Sequence, residues 1–287
     1  MDNITNINWF PGHMVKAKRE IKENFKLVDI VIEIVDARIP LSSRNPDFDE
    51  LIMDKPRIVA LNKSDMSDKS VNEKWVKYFR TQGIPCVLLN SVAGTGINEV
   101  MKLAVSIMKE KLEKNAAKGR IGKPIRAAVM GIPNAGKSSF INKVAKRQVA
   151  IVGNKPGVTK RGQWIKTDFG IELMDTPGIL WPKFETEEIA LHLAYTGAIR
   201  YEILDNTELV LKFIEEIIKT YPVELSTRYK LKDIEGKTPL EIYEAIGKNR
   251  GYLISGGEID YERTANMVMD EFRKGTIGKI SLERPNI

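Results

Sequence analysis

Hydrophobic and polar positions follow two regimes along the chain. In the first, short unbroken apolar runs alternate with stretches of helical period. "VDIVIEIVDAR" is continuously apolar with two acids near its C-terminal end and reads as a buried strand. "PRIVALNKSD" reads as a strand running into a loop, and "PCVLLNSVAGTG" as a strand followed by a glycine-rich loop. "RAAVMGIPNAGKSSFINKVAK" reads as strand, loop and helix. "RGQWIKTDFGIELMDTPG" reads as two strands close enough to form a hairpin. Between these runs, "SVNEKWVKYFRTQG" predicts a helix ending at Gly83. "INEVMKLAVSIMKEKLEKNAAKG" predicts one long amphipathic helix fading into the linker "KNAAKGRIGKP" at 114–124. The βαβα rhythm predicts an α/β, doubly wound sheet covered by helices.

After Pro182 the second regime begins. Strand signals give way to helical periods in "EEIALHLAYTGAIRYEIL", "NTELVLKFIEEIIKTY", "TPLEIYEAIGKNRG" and "DYERTANMVMDEFRKG". A boundary near Phe184 is expected, with residues 1–184 forming the α/β domain and 185–287 an all-α domain.

Charge adds a further distinction. Residues 1–184 hold 31 Lys+Arg against 19 Asp+Glu, a balance of +12, whereas 185–287 hold 14 against 19, a balance of −5. A basic front suggests contact with a polyanion; a solvated lysine-rich surface is the plain alternative. The helix-period stretch "HMVKAKREIKENFKLV" carries Lys16, Lys18, Arg19, Lys22 and Lys26. Cys86 is the sole cysteine, so no disulfide framework exists, and it reads as an inert core thiol. No apolar run reaches the roughly 18 residues of a membrane span. "MDNITNINWF" lacks a cationic-then-apolar signal pattern, so a cytoplasmic protein without membrane contact is expected.

Gly131 to Ser138 matches G-x-x-x-x-G-K-S between an apolar strand and a helix. Glycines let backbone N–H groups from Asn134, Ala135, Gly136, Lys137, Ser138 and Ser139 curl around phosphate oxygens. The helix N-terminus adds positive potential. Lys137 reaches the terminal phosphates and the Ser138 hydroxyl faces Mg²⁺. In "DTPG", Asp175 can hold Mg²⁺ through water and the Gly178 N–H can sense the γ-phosphate. Thr159, in "GVTK", can close over Mg²⁺ only while the γ-phosphate is present, which makes its loop a switch. Each of these is weak alone; in this order they reinforce one another.

Asn62-Lys63-Ser64-Asp65 supplies a guanine clamp. The Asp65 carboxylate can accept from guanine N1–H and the 2-amino group, two donors that adenine does not offer together. Lys63 can lie over the base plane and Asn62 can bridge to the phosphate loop. The backbone N–H groups of Ser91, Val92 and Ala93 can receive guanine O6. A chance tetrapeptide is the alternative, countered by the strand before it and the "NSVAG" turn after the next strand. The clamp precedes the phosphate loop, so the expected fold is a P-loop GTPase domain in circularly permuted order, followed by the helical domain. The join falls around Lys118 and the break after "DTPG".

"NWFPGHM", "DARIP", "NKSD", "GIPNAGKSS", "KPGVTK", "DTPGIL" and "LAYTGAI" together resemble the circularly permuted GTPases, and more closely their ribosome biogenesis GTPase A subgroup, over nearly the full length. The resemblance implies GTP/GDP and Mg²⁺ as ligands. It also implies a monomeric factor that binds the immature large (50S) ribosomal subunit through rRNA and ribosomal proteins and promotes late assembly. Ile179, Leu180 and Trp181 after the "DTPG" offer no side chain to orient water, so hydrolysis alone should be slow and stimulated by the ribosome. His13 stands in a motif that the resemblance marks as near the site: it either orients the attacking water or caps the first helix. Asn134 either shapes its loop or, as in potassium-stimulated GTPases, helps hold K⁺. His192 reads as structural. Lys155, Lys160 and Arg161, with Lys118, Arg120 and Lys123, add phosphate-binding charge. Lys248 and Arg250 form a local basic patch in the acidic tail. A regulatory GTP switch acting on protein alone, and an RNA-binding scaffold that holds nucleotide without turnover, remain as alternatives.

Overall fold

The computed structural model describes residues 19, 21–119, 122–147, 150, 164–199 and 206–286. Six strands, Ile30–Asp36 (β1), Arg57–Asn62 (β2), Cys86–Leu88 (β3), Ile125–Met130 (β4), Trp164–Lys166 (β5) and Ile171–Asp175 (β6), form one sheet of order β3-β2-β1-β4-β6-β5. Neighbours are parallel except for the β5–β6 hairpin. Every residue of β1 is buried, which is why its apolar run shows no alternation. The acid inside it, Glu33, is paired with Arg44 at 3.1 Å and Arg57 at 3.3 Å.

From β1 the chain builds outward through β2 and β3, and from β4 it builds the other way through β5 and β6, so the strand order reverses between β1 and β4. The crevice at the C-terminal strand ends beside such a reversal is where doubly wound sheets bind ligands. Asp36 and Asn62 are register partners at that edge, and β4 and β6 end there too. Sheet register depends on strand neighbours, not on the order in which the chain visits them, so the half containing β4 to β6 is laid down second without altering the edge.

The helix expected across 97–119 is interrupted. Ile97–Ile107 (α3) packs on the sheet, Met108 leaves helical backbone with φ −89° and ψ 3°, and Lys109–Ala117 (α4) has no fully buried residue, only Leu112 resting against the core. Lys69–Thr81 (α2) begins earlier than its periodicity suggests because Asp68 caps it, accepting from Ser70 N and Val71 N. Two short helices went unanticipated, Asp47–Ile52 (α1) and Pro222–Tyr229 (α8), the latter with proline in its first turn.

On one face, Val35, Val59 and Leu61 of the sheet pack against Val71, Trp75 and Phe79 of α2. Cys86 lies in this core, and burial pushes its thiol pKa up to about 12. On the other face the core continues without a break from Ile32 and Ile34 through Leu180, Trp181 and Phe184 into Tyr195, Phe213 and Phe272. The helices there are Glu187–Tyr195 (α6), Asn206–Thr220 (α7), α8, Pro239–Arg250 (α9) and Tyr261–Arg273 (α10), with α7 packed against α9 and α10. The phosphate-loop helix, Lys137–Val144, is α5.

The chain then returns over the guanine-clamp side of the sheet. Ile280 N donates to Met66 O at 3.0 Å and Leu282 N to Arg38 O at 2.9 Å. Trp75 Nε1 donates to Glu283 O at 3.2 Å. The Glu283 carboxylate accepts from Leu41 N at 2.6 Å and Ser42 N at 3.0 Å. It also lies 3.2 Å from Nδ1 of the buried His192, whose Nε2 is 3.0 Å from Glu216. Burial opposes charge on this imidazole, but the hydrogen bonds that its ring donates to Glu216 and Glu283 outweigh it and push the pKa up to about 9.

A raised histidine pKa stabilises the fold fully below its unfolded value near 6.5 and ceases to do so as pH rises through about 9. Melting temperature should therefore fall by several degrees across that window, and the fall should be smaller in His192→Gln. Parallel melting curves for the two proteins would show that His192 is neutral at neutral pH.

Candidate functional site

The phosphate loop starts from β4 and ends on α5. Gly131, at φ 152°, passes so close to β1 that a Cβ would lie 2.5 Å from Ile34 O. Gly136 caps α5 at φ 102° and supplies no side-chain acceptor, leaving the first-turn N–H groups to an anion. Lys137 is buried and donates from Nζ to Ile132 O at 2.9 Å. Burial pushes its pKa down to about 8, against the pull of Asp175. Burial also pushes the Asp175 carboxyl up to about 6, against the pull of Lys137. Asp175 Oδ1 is buried with no hydrogen-bond partner among the described residues. A cation that is hard to keep charged and an orphaned carboxylate oxygen at one strand edge fit a phosphate chain carrying a divalent ion.

Gly178 lies against the same loop: a Cβ there would lie 2.9 Å from both Lys137 Nζ and Pro133 N. Asn45 Nδ2 holds the following segment through Ile179 O at 3.1 Å. Asn134 adopts left-handed backbone at φ 59° and donates Nδ2 to Gly197 O at 2.5 Å, tying the loop to the turn after α6.

At the end of β2, Asn62 donates Nδ2 to Ala135 O at 2.7 Å and accepts from Ser91 N at 2.9 Å. Its amide thus joins the clamp, the phosphate loop and the loop after β3. Ser64 is fixed by Leu89 O, at 3.2 Å from its N and 3.0 Å from its Oγ, and Asp65 beyond it is exposed. Lys63, at φ 60°, places its ammonium 2.8 Å from Asp36 Oδ2.

Two expectations change in detail. The N–H groups of Ser91, Val92 and Ala93 are already engaged: Ser91 N with Asn62, and Val92 N and Ala93 N with Asn90 Oδ1 at 3.1 and 2.9 Å. Receiving a base oxygen therefore requires one of them to exchange its acceptor. Arg250, read as half of a basic patch, instead bonds Glu271 and lies 5.3 Å from the Tyr229 ring centre, which leaves Lys248 exposed beside it.

Arg19, Lys22, Lys26, Lys118 and Lys123 are exposed. His13, Lys16, Lys18, Arg120, Lys155, Thr159, Lys160 and Arg161 lie outside the described residues. Sequence reasoning assigned no chemistry to Asn90, Asp36 or Arg38. The available signals were an asparagine opening a small-residue turn and an acid at the functional edge of a strand.

A doubly wound sheet that brings a phosphate loop and a guanine clamp together at one edge, in reversed chain order, defines a circularly permuted GTPase. The family described as "50S ribosome-binding GTPase" matches residues 126–244. That match begins in β4 and leaves the clamp outside it, as the permuted order requires. "Ribosome biogenesis GTPase A" of Bacillus cereus is 48% identical over 279 residues, covering 97% of this chain and 94% of that protein. The protein of the same name from Thermotoga maritima is 32% identical, covering 97% and 95%. Among solved structures, GNP-bound YlqF from T. maritima matches with a TM-score of 0.69 at 27% identity, covering 94% of this chain and 99% of that one. The chain belongs to the ribosome biogenesis GTPase A family. It is a GTPase of ribosome biogenesis that binds and hydrolyses GTP. No described helix is long and apolar enough to cross a membrane.

Proposed function

We propose that this GTPase binds the immature large (50S) ribosomal subunit, promotes its late maturation, and hydrolyses GTP slowly until the subunit stimulates it. The observation that carries the nucleotide site is the Asn62 side chain bonded to Ala135 O, which makes clamp and phosphate loop one pocket. The subunit assignment is supported by the words "50S ribosome-binding" in the matching family's description and by the basic front of the chain.

In this reading residues 1–184 are the GTPase domain and 185–287 the partner-responsive helical domain. Asp65 and Lys63 read the base, with Ser91, Val92 and Ala93 beside its O6. The N–H groups of Asn134 to Ser139 and the Lys137 ammonium cradle the phosphates, and Gly178 N–H senses the γ-phosphate. Ser138, Asp175 and Thr159 would hold Mg²⁺, which when bound neutralises charge developing on the phosphate oxygens. Asn134 donates its Nδ2 to Gly197, which leaves Oδ1 as its cation ligand for K⁺. His13 orients the attacking water. The cations of the front contact rRNA phosphates without reading sequence.

The test is GTP turnover with purified large or small subunits, in K⁺ and in Na⁺. Large subunits should raise turnover at least about tenfold, small subunits should not, and Na⁺ should diminish the gain. Equal rates with both subunits would remove the large-subunit assignment. His13→Ala should lose roughly 10²-fold or more of the stimulated rate; full stimulated turnover in that variant would exclude it as the water-orienting residue.

A further inference from the structure

The Lys63 ammonium does not end in solvent. It rests on a carboxylate whose every acceptor position is taken. Asp36 Oδ1 accepts from Arg38 N at 3.1 Å and Arg38 Nε at 2.9 Å, and Oδ2 accepts from an Arg38 terminal nitrogen at 2.7 Å and from Lys63 Nζ at 2.8 Å. The Arg38 side chain is 1% exposed and that of Asp36 3%. Burial disfavours charge on Asp36, but the Arg38 guanidinium and the Lys63 ammonium prevail and hold its carboxyl well below the usual range. Arg38 reaches in the other direction too. Its second terminal nitrogen donates to Phe272 O at 3.1 Å, at the last turn of α10, where a cation meets the negative end of the helix. Its guanidinium carbon lies 4.9 Å from the Phe272 ring centre. Leu282 N closes the arrangement on Arg38 O at 2.9 Å.

We infer that Asp36 and Arg38 are positioning residues for the guanine clamp: together they fix Lys63 in its base-covering pose and join it to helix α10 of the tail. The inference rests on the reading of Lys63 as a base contact. A free lysine loses much rotamer freedom when it settles on a ligand. Anchoring the ammonium at the far end removes that cost in advance and leaves the methylene stem as the surface that meets the ring. The left-handed backbone at Lys63, φ 60°, is what aims the stem back toward β1. The tail thereby grips both ends of the pocket, through Arg38 at the base and through Asn134 and Gly197 at the phosphates.

The test is the Kd for fluorescently labelled GDP, with steady-state KM and kcat for GTP, in Asp36→Asn, Lys63→Ala, the double variant and Arg38→Lys. Asp36→Asn should weaken GDP roughly 10- to 100-fold and raise KM in step, with kcat changing less than about twofold. In the Lys63→Ala background the same change should add almost nothing, because Asp36 acts through Lys63. Arg38→Lys keeps a cation beside Asp36 but loses the fork and the bond to Phe272 O, and should weaken GDP several-fold. An unchanged Kd in Asp36→Asn, or single effects that multiply in the double variant, overturns the inference. If Asp36→Asn does not fold, Arg38→Lys decides: unchanged GDP affinity overturns the inference. Should Lys63→Ala alone bind GDP normally, it is the base-contact reading of Lys63 that fails, a result distinct from the others.

Discussion

Asp65→Asn should lower affinity for guanosine nucleotides by roughly 10³- to 10⁴-fold and transfer preference to xanthosine nucleotides. The carboxylate accepts from N1–H and the 2-amino group at once; an amide presents one acceptor and one donor, which suits a base with oxygen at C2. The effect is large because the loop cannot adjust. Ser64 is fixed to Leu89 O, Asn72 Nδ2 holds Ser64 O at 3.1 Å, and Ile280 N holds Met66 O at 3.0 Å. A residue between such anchors cannot retreat to relieve a mismatch. Competition of GTP, ITP, XTP and ATP against labelled GDP measures it. Unchanged base order in Asp65→Asn would show that Asp65 does not face the base.

Gly136→Ala should weaken nucleotide binding by about 10²-fold or more and lower the melting temperature. Two penalties coincide. At φ 102° an L side chain is strained, at a cost of about 1–3 kcal/mol. The added methyl would also lie 2.1 Å from Asn62 Nδ2 and 3.3 Å from Ser91 Oγ. Asn62 would have to swing away, breaking both its bond to Ala135 O and its bond from Ser91 N, so the phosphate loop and the clamp separate together. Gly83→Ala separates the two causes. Gly83 also has positive φ, 71°, but nothing lies within 4 Å of its Cβ position. It should lose a little stability and bind GDP normally. Tight GDP binding by Gly136→Ala would show that the observed approach of Asn62 to the loop is dispensable.

Contiguous features of the site were legible in the chain. The run before Gly131, the two glycines, Lys137 and the helix after them form one strand-loop-helix unit, and each part is recognisable by its immediate neighbours. The strand ahead of Asn62 is equally local. Asn90 was not legible, because an asparagine before a small-residue turn has many ordinary uses. Its importance lies in accepting from Val92 N and Ala93 N, which only the folded turn brings to it. Arg38 reads as a charged residue beyond a strand end, and charged residues are rarely fully buried. Burial becomes tolerable only with Asp36 forked on one side and a helix end on the other. The break at Met108 escaped because helix-favouring residues continue on both sides of it, through Lys109–Ala117, so the sequence carries no stop signal there.

By itself, then, the sequence determined the strand and helix rhythm, the identity of the phosphate loop and clamp, and their reversed order, since all of these are written in residues close together. Only the tertiary structure decided that Asn62 bonds Ala135 across a sequence separation of 73, that Lys63 rests on Asp36, and that residues 280–283 lie along Arg38, Met66 and Trp75. Contacts of that kind come from the stacking order of strands and the return path of the tail. They leave no periodic trace in the chain because each partner, read alone, has an ordinary local explanation.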